Sequence, residues 1–265
     1  MNSASGSTTR SYKHALSGAM LRDMKITYPA GKEAMIMVCD GLVDPTVCKD
    51  LLSGLNALWP GISYPGQTLG GLQPQTKSSE DAAFSQLGFA KKGVAFSEPF
   101  VLIEQALVNG LFGALSYYKN EFRALWDWGD IQDTGFQVQK YMQYHGFYRE
   151  HVDSFPGTNS GTRVASGIVY LNNVDYGGET AFPLHNVKVE AVQGRVVLFP
   201  ALWTHPHEGR TPLSGDKWIV NTFFVNNTET PAKPEQPEHI HDHFDPEDTF
   251  EWSGEEHHGH EDHQH

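Results

Sequence analysis

Hydrophobic spacing along the chain changes character near Gly135. Before that point apolar residues recur at helical intervals. Val47, Leu51, Leu52, Leu55 and Leu58 follow Asp44-Pro45, a capping residue with proline at the first helical position, and Trp59-Pro60-Gly61 stops the run. A second run, Phe100, Ile103, Leu107, Leu111 and Leu115, opens after Ser97-Glu98-Pro99 and predicts a helix reaching Tyr118 or beyond. Ile36 to Val38 reads as a short strand ahead of the first helix. Ser63 to Glu80 is rich in Gly, Gln, Ser, Thr and Pro with no lasting periodicity, and reads as a long surface loop that either covers a site or only connects.

After Gly135 the pattern is that of strands: Phe136 to Tyr141, Val164 to Leu171, Val187 to Val189, Arg195 to Phe199 and Trp218 to Val225. Gly177-Gly178 and Gln193-Gly194 supply turns between them, and 26 glycines and 15 prolines favour many short elements over a helical bundle. Helices first and strands later predict an α+β, mainly β fold, with N-terminal helices packed against a β-sandwich or jelly roll. The expected organisation is a loose N-terminus over 1–30, one domain over 31–228, and a tail over 229–265. Within the domain, helical support covers about 44–128 and the strand core about 134–227.

Charge matters only once it is placed along the chain. The formal net charge is −13, but residues from Glu229 onward carry twelve acidic side chains against Lys233, so the preceding body is close to neutral. A nearly neutral body offers no basic face for nucleic acid. The tail also holds eight of the fourteen histidines among prolines and acids, a composition that predicts disorder with at most loose metal binding. Met1 to Met20 lacks the apolar core of a secretory signal, and no later run reaches membrane-spanning length, so no membrane partner is expected. Cys39 and Cys48 are the whole thiol inventory, which predicts reduced, structural cysteines and a cytoplasmic or otherwise intracellular setting. Nothing in the sequence fixes an oligomeric state.

The segment that suggests chemistry is Gly146-Phe147-Tyr148-Arg149-Glu150-His151-Val152-Asp153. In an extended strand, residues two apart share a face, so His151 and Asp153 can converge on one metal ion. A second imidazole completes a two-His-one-carboxylate site, which leaves positions open on non-haem iron(II). Thr204-His205-Pro206-His207 lies about 55 residues further on, just after a predicted strand. Taken alone, a His-x-Asp triplet marks an exposed polar edge more often than a metal site. Gly215-Asp216-Lys217-Trp218 adds a lysine at the start of an apolar strand, where a buried cation needs an anionic partner such as a dicarboxylate.

These residues resemble the prolyl 4-hydroxylase branch of the iron(II)/2-oxoglutarate dioxygenases. The resemblance covers roughly Gly135 to Val225. Its ordered pieces are Tyr148-x-x-His151-x-Asp153, Arg163 opening a strand that ends Tyr170-Leu171-Asn172, Gly177-Gly178-Glu179-Thr180-Ala181-Phe182-Pro183, Gly194 to Phe199, His207 and Gly215-x-Lys217-Trp218. It implies a double-stranded β-helix core and an Fe(II) site made by His151, Asp153 and His207. The family places its distal histidine ten residues before the co-substrate lysine, which selects His207 over His205. It also implies that Lys217 pairs with the far carboxylate of 2-oxoglutarate, and that an upstream tyrosine assists it. Tyr141 is the nearest candidate, displaced by one extra residue, with Tyr144 or a packing role for Tyr141 left open. Arg163 and Tyr148 fall at positions near the substrate, although an arginine there can equally be a surface ion-pair donor. O2 is the implied second co-substrate and ascorbate a possible reductant. The carboxylate ligand, which related halogenases replace by a small residue, favours hydroxylation. The implied substrate is a prolyl residue in a peptide or protein. The alternatives are another residue, a free small molecule, or a jelly-roll glycan- or peptide-binding module without catalysis.

Overall fold

The computed structural model describes residues 24–68, 70–122, 131–154 and 162–226. By internal contacts the chain divides into Met1–Thr228 and Glu229–His265. The second unit, with the whole His-rich tail, lies outside the described residues, as do 1–23 and most of the Ser154 to Thr162 segment.

The N-terminal half begins with β1 (Lys25–Thr27) and β2 (Met37–Asp40), which pair antiparallel, so the expected loose terminus ends before residue 30. Helix α1 (Pro45–Asn56) starts as its sequence predicts, with the Asp44 carboxylate accepting from the Thr46 amide at 2.7 Å. Trp59-Pro60-Gly61 ends that helix but also opens a short one, α2 (Trp59–Ile62). The expected loop after it is in part sheet. β3 (Tyr64–Pro65), β4 (Lys77–Ser78) and β5 (Glu80–Phe84) lie within 44–128, so that stretch is not purely helical support. β3 and β4 are edge strands two residues long, too short to show alternation, while β5 lies between β3 and β7 with Ala82 and Phe84 in the core. α3 (Gln86–Ala90), capped by the Ser85 hydroxyl on the Gly88 amide, leads to α4 (Glu98–Glu121).

The second half supplies β6 (Ile131–Asp133), β7 (Phe136–Tyr141), β8 (Phe147–His151), β9 (Thr162–Tyr170), β10 (Thr180–Phe182), β11 (Val187–Val189), β12 (Val196–Pro200), β13 (His207–Gly209) and β14 (Lys217–Asn226). The larger, nine-stranded sheet runs β1-β2-β12-β9-β14-β7-β5-β3, with β6 also paired to β14. The five-stranded sheet runs β11-β10-β13-β8-β4. Every pairing between these strands is antiparallel, and the two sheets make the expected double-stranded β-helix, or jelly roll.

Strand alternation explains where the core sits. On β12, Val196 and Leu198 point toward α1 and α4 and join Leu51, Leu55, Leu107, Leu111 and Leu115, whereas Val197 and Phe199 point between the sheets to meet Phe182, Tyr170 and Ile219. By length and hydropathy alone α4 is long and apolar enough to cross a membrane, contrary to the sequence expectation. Here Leu107, Leu111, Ala114 and Leu115 are buried in the helix-to-sheet core. Cys39 and Cys48 are free and buried in the same core, and burial pushes their thiols up to about 12 and about 11.

Candidate active site

His151 closes β8 and His207 opens β13, and these two residues are directly paired across the small sheet. Asp153 follows β8 by two residues, so extended geometry turns its carboxylate to the same side. One ligand atom from each of His151, Asp153 and His207 lies within 4.8 Å of the other two. The imidazole Nε2 atoms of His151 and His207 approach opposite carboxylate oxygens of Asp153, each at 3.5 Å.

Both imidazoles are held so that Nε2 faces inward. The His151 Nδ1–H donates to the Arg149 carbonyl at 2.8 Å, and the His207 Nδ1–H donates to the His205 carbonyl at 3.1 Å. The Ser166 hydroxyl donates to Asp153 Oδ2 at 2.6 Å, and the Arg163 guanidinium donates to the Asp153 backbone carbonyl at 3.0 Å. Burial alone raises the Asp153 carboxyl, but His207, His151 and Ser166 outweigh it and hold the group below the usual carboxylate range. Burial lowers His207 to about 4, against the pull of Asp153, so its ring is neutral at ordinary pH with a lone pair free. An ionised carboxylate and inward-facing imidazole nitrogens form a donor set that fits a divalent iron ion.

Lys217 starts β14 and pairs in register with Tyr141 at the end of β7. Its side chain is 1% exposed, and Nζ donates to the Gly178 carbonyl at 3.0 Å while lying 4.8 Å from the Tyr141 ring centre. Burial lowers this amine to about 8, with Glu179 partly opposing. No carboxylate within salt-bridge distance neutralises it among the described residues, and it lines the same cavity as the His151, Asp153, His207 cluster. That cavity, of about 700 Å³, is also walled by Tyr141, Tyr148, Arg163 and Thr180.

The open choices of the sequence separate cleanly. Tyr144 is 64% exposed at the β7–β8 turn, with a positive φ of 64°, so the extra residue is absorbed in that turn and Tyr141 is the one that faces the cavity. His205 is buried elsewhere, its ring bonded to the Ala34 carbonyl at 2.7 Å and stacked on His185 at 4.6 Å. Tyr148 stacks on His151 with ring centres 3.5 Å apart.

The family model of the 2OG-Fe(II) oxygenase superfamily matches residues 136–225, the span that holds every one of these groups. A protein of Acanthamoeba polyphaga mimivirus, named "Putative prolyl 4-hydroxylase", is 25% identical over 204 residues, 71% of this chain and 72% of its own. Residues 136–225 thus carry a 2OG-Fe(II) oxygenase domain, and the chain is similar to prolyl 4-hydroxylases. Prolyl 4-hydroxylase 5 of Arabidopsis thaliana is 39% identical over 63 residues, a match that spans only 21% of that relative. Solved structures share the fold. The viral collagen prolyl hydroxylase of Paramecium bursaria Chlorella virus-1, in its 2OG complex, superposes with a TM-score of 0.52 at 20% identity, covering 72% of this chain and 95% of that one. A Trichoplax adhaerens prolyl hydroxylase in complex with a hypoxia inducible factor peptide fragment gives a TM-score of 0.57 at 16% identity, covering 74% and 85%. The domain and these relatives make this chain a 2-oxoglutarate-dependent dioxygenase, and the domain implies Fe(II) and 2-oxoglutarate.

Several residues of this oxygenase site escaped the sequence reading. Thr180 had no role of its own within the Gly177 to Pro183 piece, yet it is buried in the cavity wall and accepts from the Tyr170 hydroxyl at 2.6 Å. Ser166, buried in the middle of β9, carried no motif. Lys77 and Asp81 form a buried ion pair at 2.7 Å, with Lys77 Nζ 5.1 Å from the Tyr148 ring centre. Burial raises the Asp81 carboxyl although Lys77 and Ser79 oppose it. A lysine and an aspartate four apart inside a polar segment give no signal of burial, because only tertiary packing removes them from water.

Proposed function

We propose that this protein hydroxylates prolyl residues of a peptide or protein, with His151, Asp153 and His207 holding Fe(II) and Lys217, assisted by Tyr141, anchoring 2-oxoglutarate. The observation that carries the reading is the coincidence, in one cavity, of the three converging ligand atoms and a buried lysine without a carboxylate partner among the described residues. Held there by His151, Asp153 and His207, Fe(II) would supply the centre at which O2 is activated for insertion of one oxygen atom into a substrate C–H bond. The balance is one O2 and one 2-oxoglutarate consumed, one oxygen atom delivered to the substrate, and succinate and carbon dioxide released. Ascorbate fits as the reductant that keeps the metal ferrous.

The side chains have separable tasks. Ser166 and the backbone carbonyls of Arg149 and His205 orient the ligands. Lys217 neutralises the far carboxylate and fixes the orientation of the co-substrate. Tyr148 covers one face of His151 and excludes water from it.

A peptide substrate is supported by polar groups on the outer cavity wall. Arg163 Nε and Asn221 Oδ1 are buried atoms without hydrogen-bond partners, one a donor and the other an acceptor, and both residues line the cavity. A peptide group presents the complementary pair. The named relatives point the same way, being prolyl hydroxylases, one of them solved with a peptide. Mass spectrometry of a proline-containing peptide panel tests the substrate. The expected result is a gain of one oxygen that requires 2-oxoglutarate. Absence of gain on every proline peptide, with gain on another residue or a free amino acid, removes the prolyl assignment.

A further inference from the structure

An unbroken hydrogen-bond chain runs along the cavity wall. Gln137, Gln139 and Tyr141 alternate on β7 and share one face. The Tyr141 hydroxyl donates to Gln139 Oε1 at 2.7 Å, Gln139 Nε2 donates to Gln137 Oε1 at 2.8 Å, and Gln137 Nε2 donates to the Tyr64 hydroxyl oxygen at 3.2 Å. All four residues line the cavity. Tyr141 sits beside Lys217, whereas Tyr64 lies on β3, in the Ser63 to Glu80 segment, several residues of which line the cavity.

Every member of this chain can both donate and accept, the amides by a half-turn about their terminal torsion and the hydroxyls by rotation. Two fully bonded states of opposite polarity therefore exist. In the observed state the single Tyr141 proton is committed to Gln139 and cannot serve an anion. In the opposite state Gln139 Nε2 donates to the Tyr141 oxygen, Gln137 Nε2 donates to Gln139 Oε1, and the Tyr64 hydroxyl donates to Gln137 Oε1. Tyr141 then keeps its proton free. Turning Tyr141 alone would leave the buried Gln139 carbonyl without a donor, a costly outcome, whereas reversing the whole chain conserves every bond.

We propose that 2-oxoglutarate reverses this chain, so that Tyr141 donates to its far carboxylate beside Lys217 and Tyr64 becomes a pure hydrogen-bond acceptor toward the substrate. The inference rests on the co-substrate role proposed above for Lys217 and Tyr141. It makes Gln137 and Gln139 positioning residues and Tyr64 a specificity determinant that takes a substrate N–H only once co-substrate is in place.

Gln137→Glu tests the reversal. The new carboxylate still accepts from Gln139 Nε2 but can no longer donate, so it locks the observed polarity. The measurement is calorimetric affinity for 2-oxoglutarate on the full chain loaded with Mn(II) under argon. The expected result is affinity about tenfold weaker or more for Gln137→Glu, the loss of one hydrogen bond to a charged group. In a Gln139→Met background, where the chain is cut, Gln137→Glu should leave affinity nearly unchanged. That control removes the direct repulsion between the new carboxylate and the dianion. Gln139→Glu imposes the same polarity one link closer and replaces Gln137→Glu if the latter does not fold. Equal weakening with and without Gln139, or none in either background, overturns the reversal. Lys217→Ala separates this from the site itself: if it leaves wild-type affinity intact, the co-substrate reading is wrong, whatever Gln137 does.

Discussion

Two buried residues of opposite charge stand out in this site, Asp153 and Lys217. Asp153 is held ionised by its neighbours and needs a cation. Lys217, lowered to about 8 by burial, is still protonated at neutral pH and needs an anion. Asp153→Ala should abolish 2-oxoglutarate turnover with added iron. Ser166→Ala keeps the three ligands but frees Asp153, and should weaken Fe(II) or Mn(II) affinity by about tenfold or more in a metal titration. Lys217 makes a pH prediction with a definite sign. Its amine titrates at about 8 in the folded, ligand-free protein against 10.5 for the ordinary side chain, so between those values the unfolded chain binds more protons. This residue therefore penalises folding below about pH 8, and its penalty fades as pH rises toward 10.5. Lys217→Met should raise the melting temperature at neutral pH, with a gain that shrinks at alkaline pH. 2-Oxoglutarate favours the charged amine, so its binding near pH 8 should take up protons, seen as a buffer-dependent binding enthalpy.

At the scale of elements, the site exists because β8 and β13 pair with His151 opposite His207, while β14 and β7 pair with Lys217 opposite Tyr141. The small sheet thus carries the imidazoles and the large sheet the buried lysine. The large sheet is in turn backed by α4, which packs closely at Gly167 on β9. A Cβ there would meet Leu111, Phe224 and Leu198 at 2.9, 3.1 and 3.2 Å. Gly167→Ala should cost about 1–3 kcal/mol by overpacking. Leu111→Ala, which empties the same contact, should cost about 2–5 kcal/mol. Denaturant unfolding checks both, and a neutral Gly167→Ala would mean that the helix is free to shift. The helices and long strands were legible because α1 and α4 repeat apolar residues with helical period, because β7 opens with apolar and polar residues in alternation, and because β9, β12 and β14 are apolar over most of their length. β3, β4, β10 and β13 were not, being two or three residues long and fixed by partners distant in sequence.

At the scale of the molecule, the proposed metal ligands and anion partner were more legible than the groups that hold them. His151, Asp153, His207 and Lys217 announce themselves by residue type and spacing, since a metal and a dicarboxylate demand specific donors. Thr180, Ser166, Lys77 and the Gln137–Gln139–Tyr141 chain use ordinary polar residues whose meaning comes from burial, which no local pattern encodes. The −13 net charge and the histidine count direct attention to residues after Glu229, but the fold places the converging ligands at 151–207. The most direct test is succinate formation from 2-oxoglutarate by the full chain with Fe(II) in air, followed by NMR. The wild type should produce succinate, and Asp153→Ala and Lys217→Ala should each reduce it to background. Undiminished succinate from Asp153→Ala would contradict the proposed metal site.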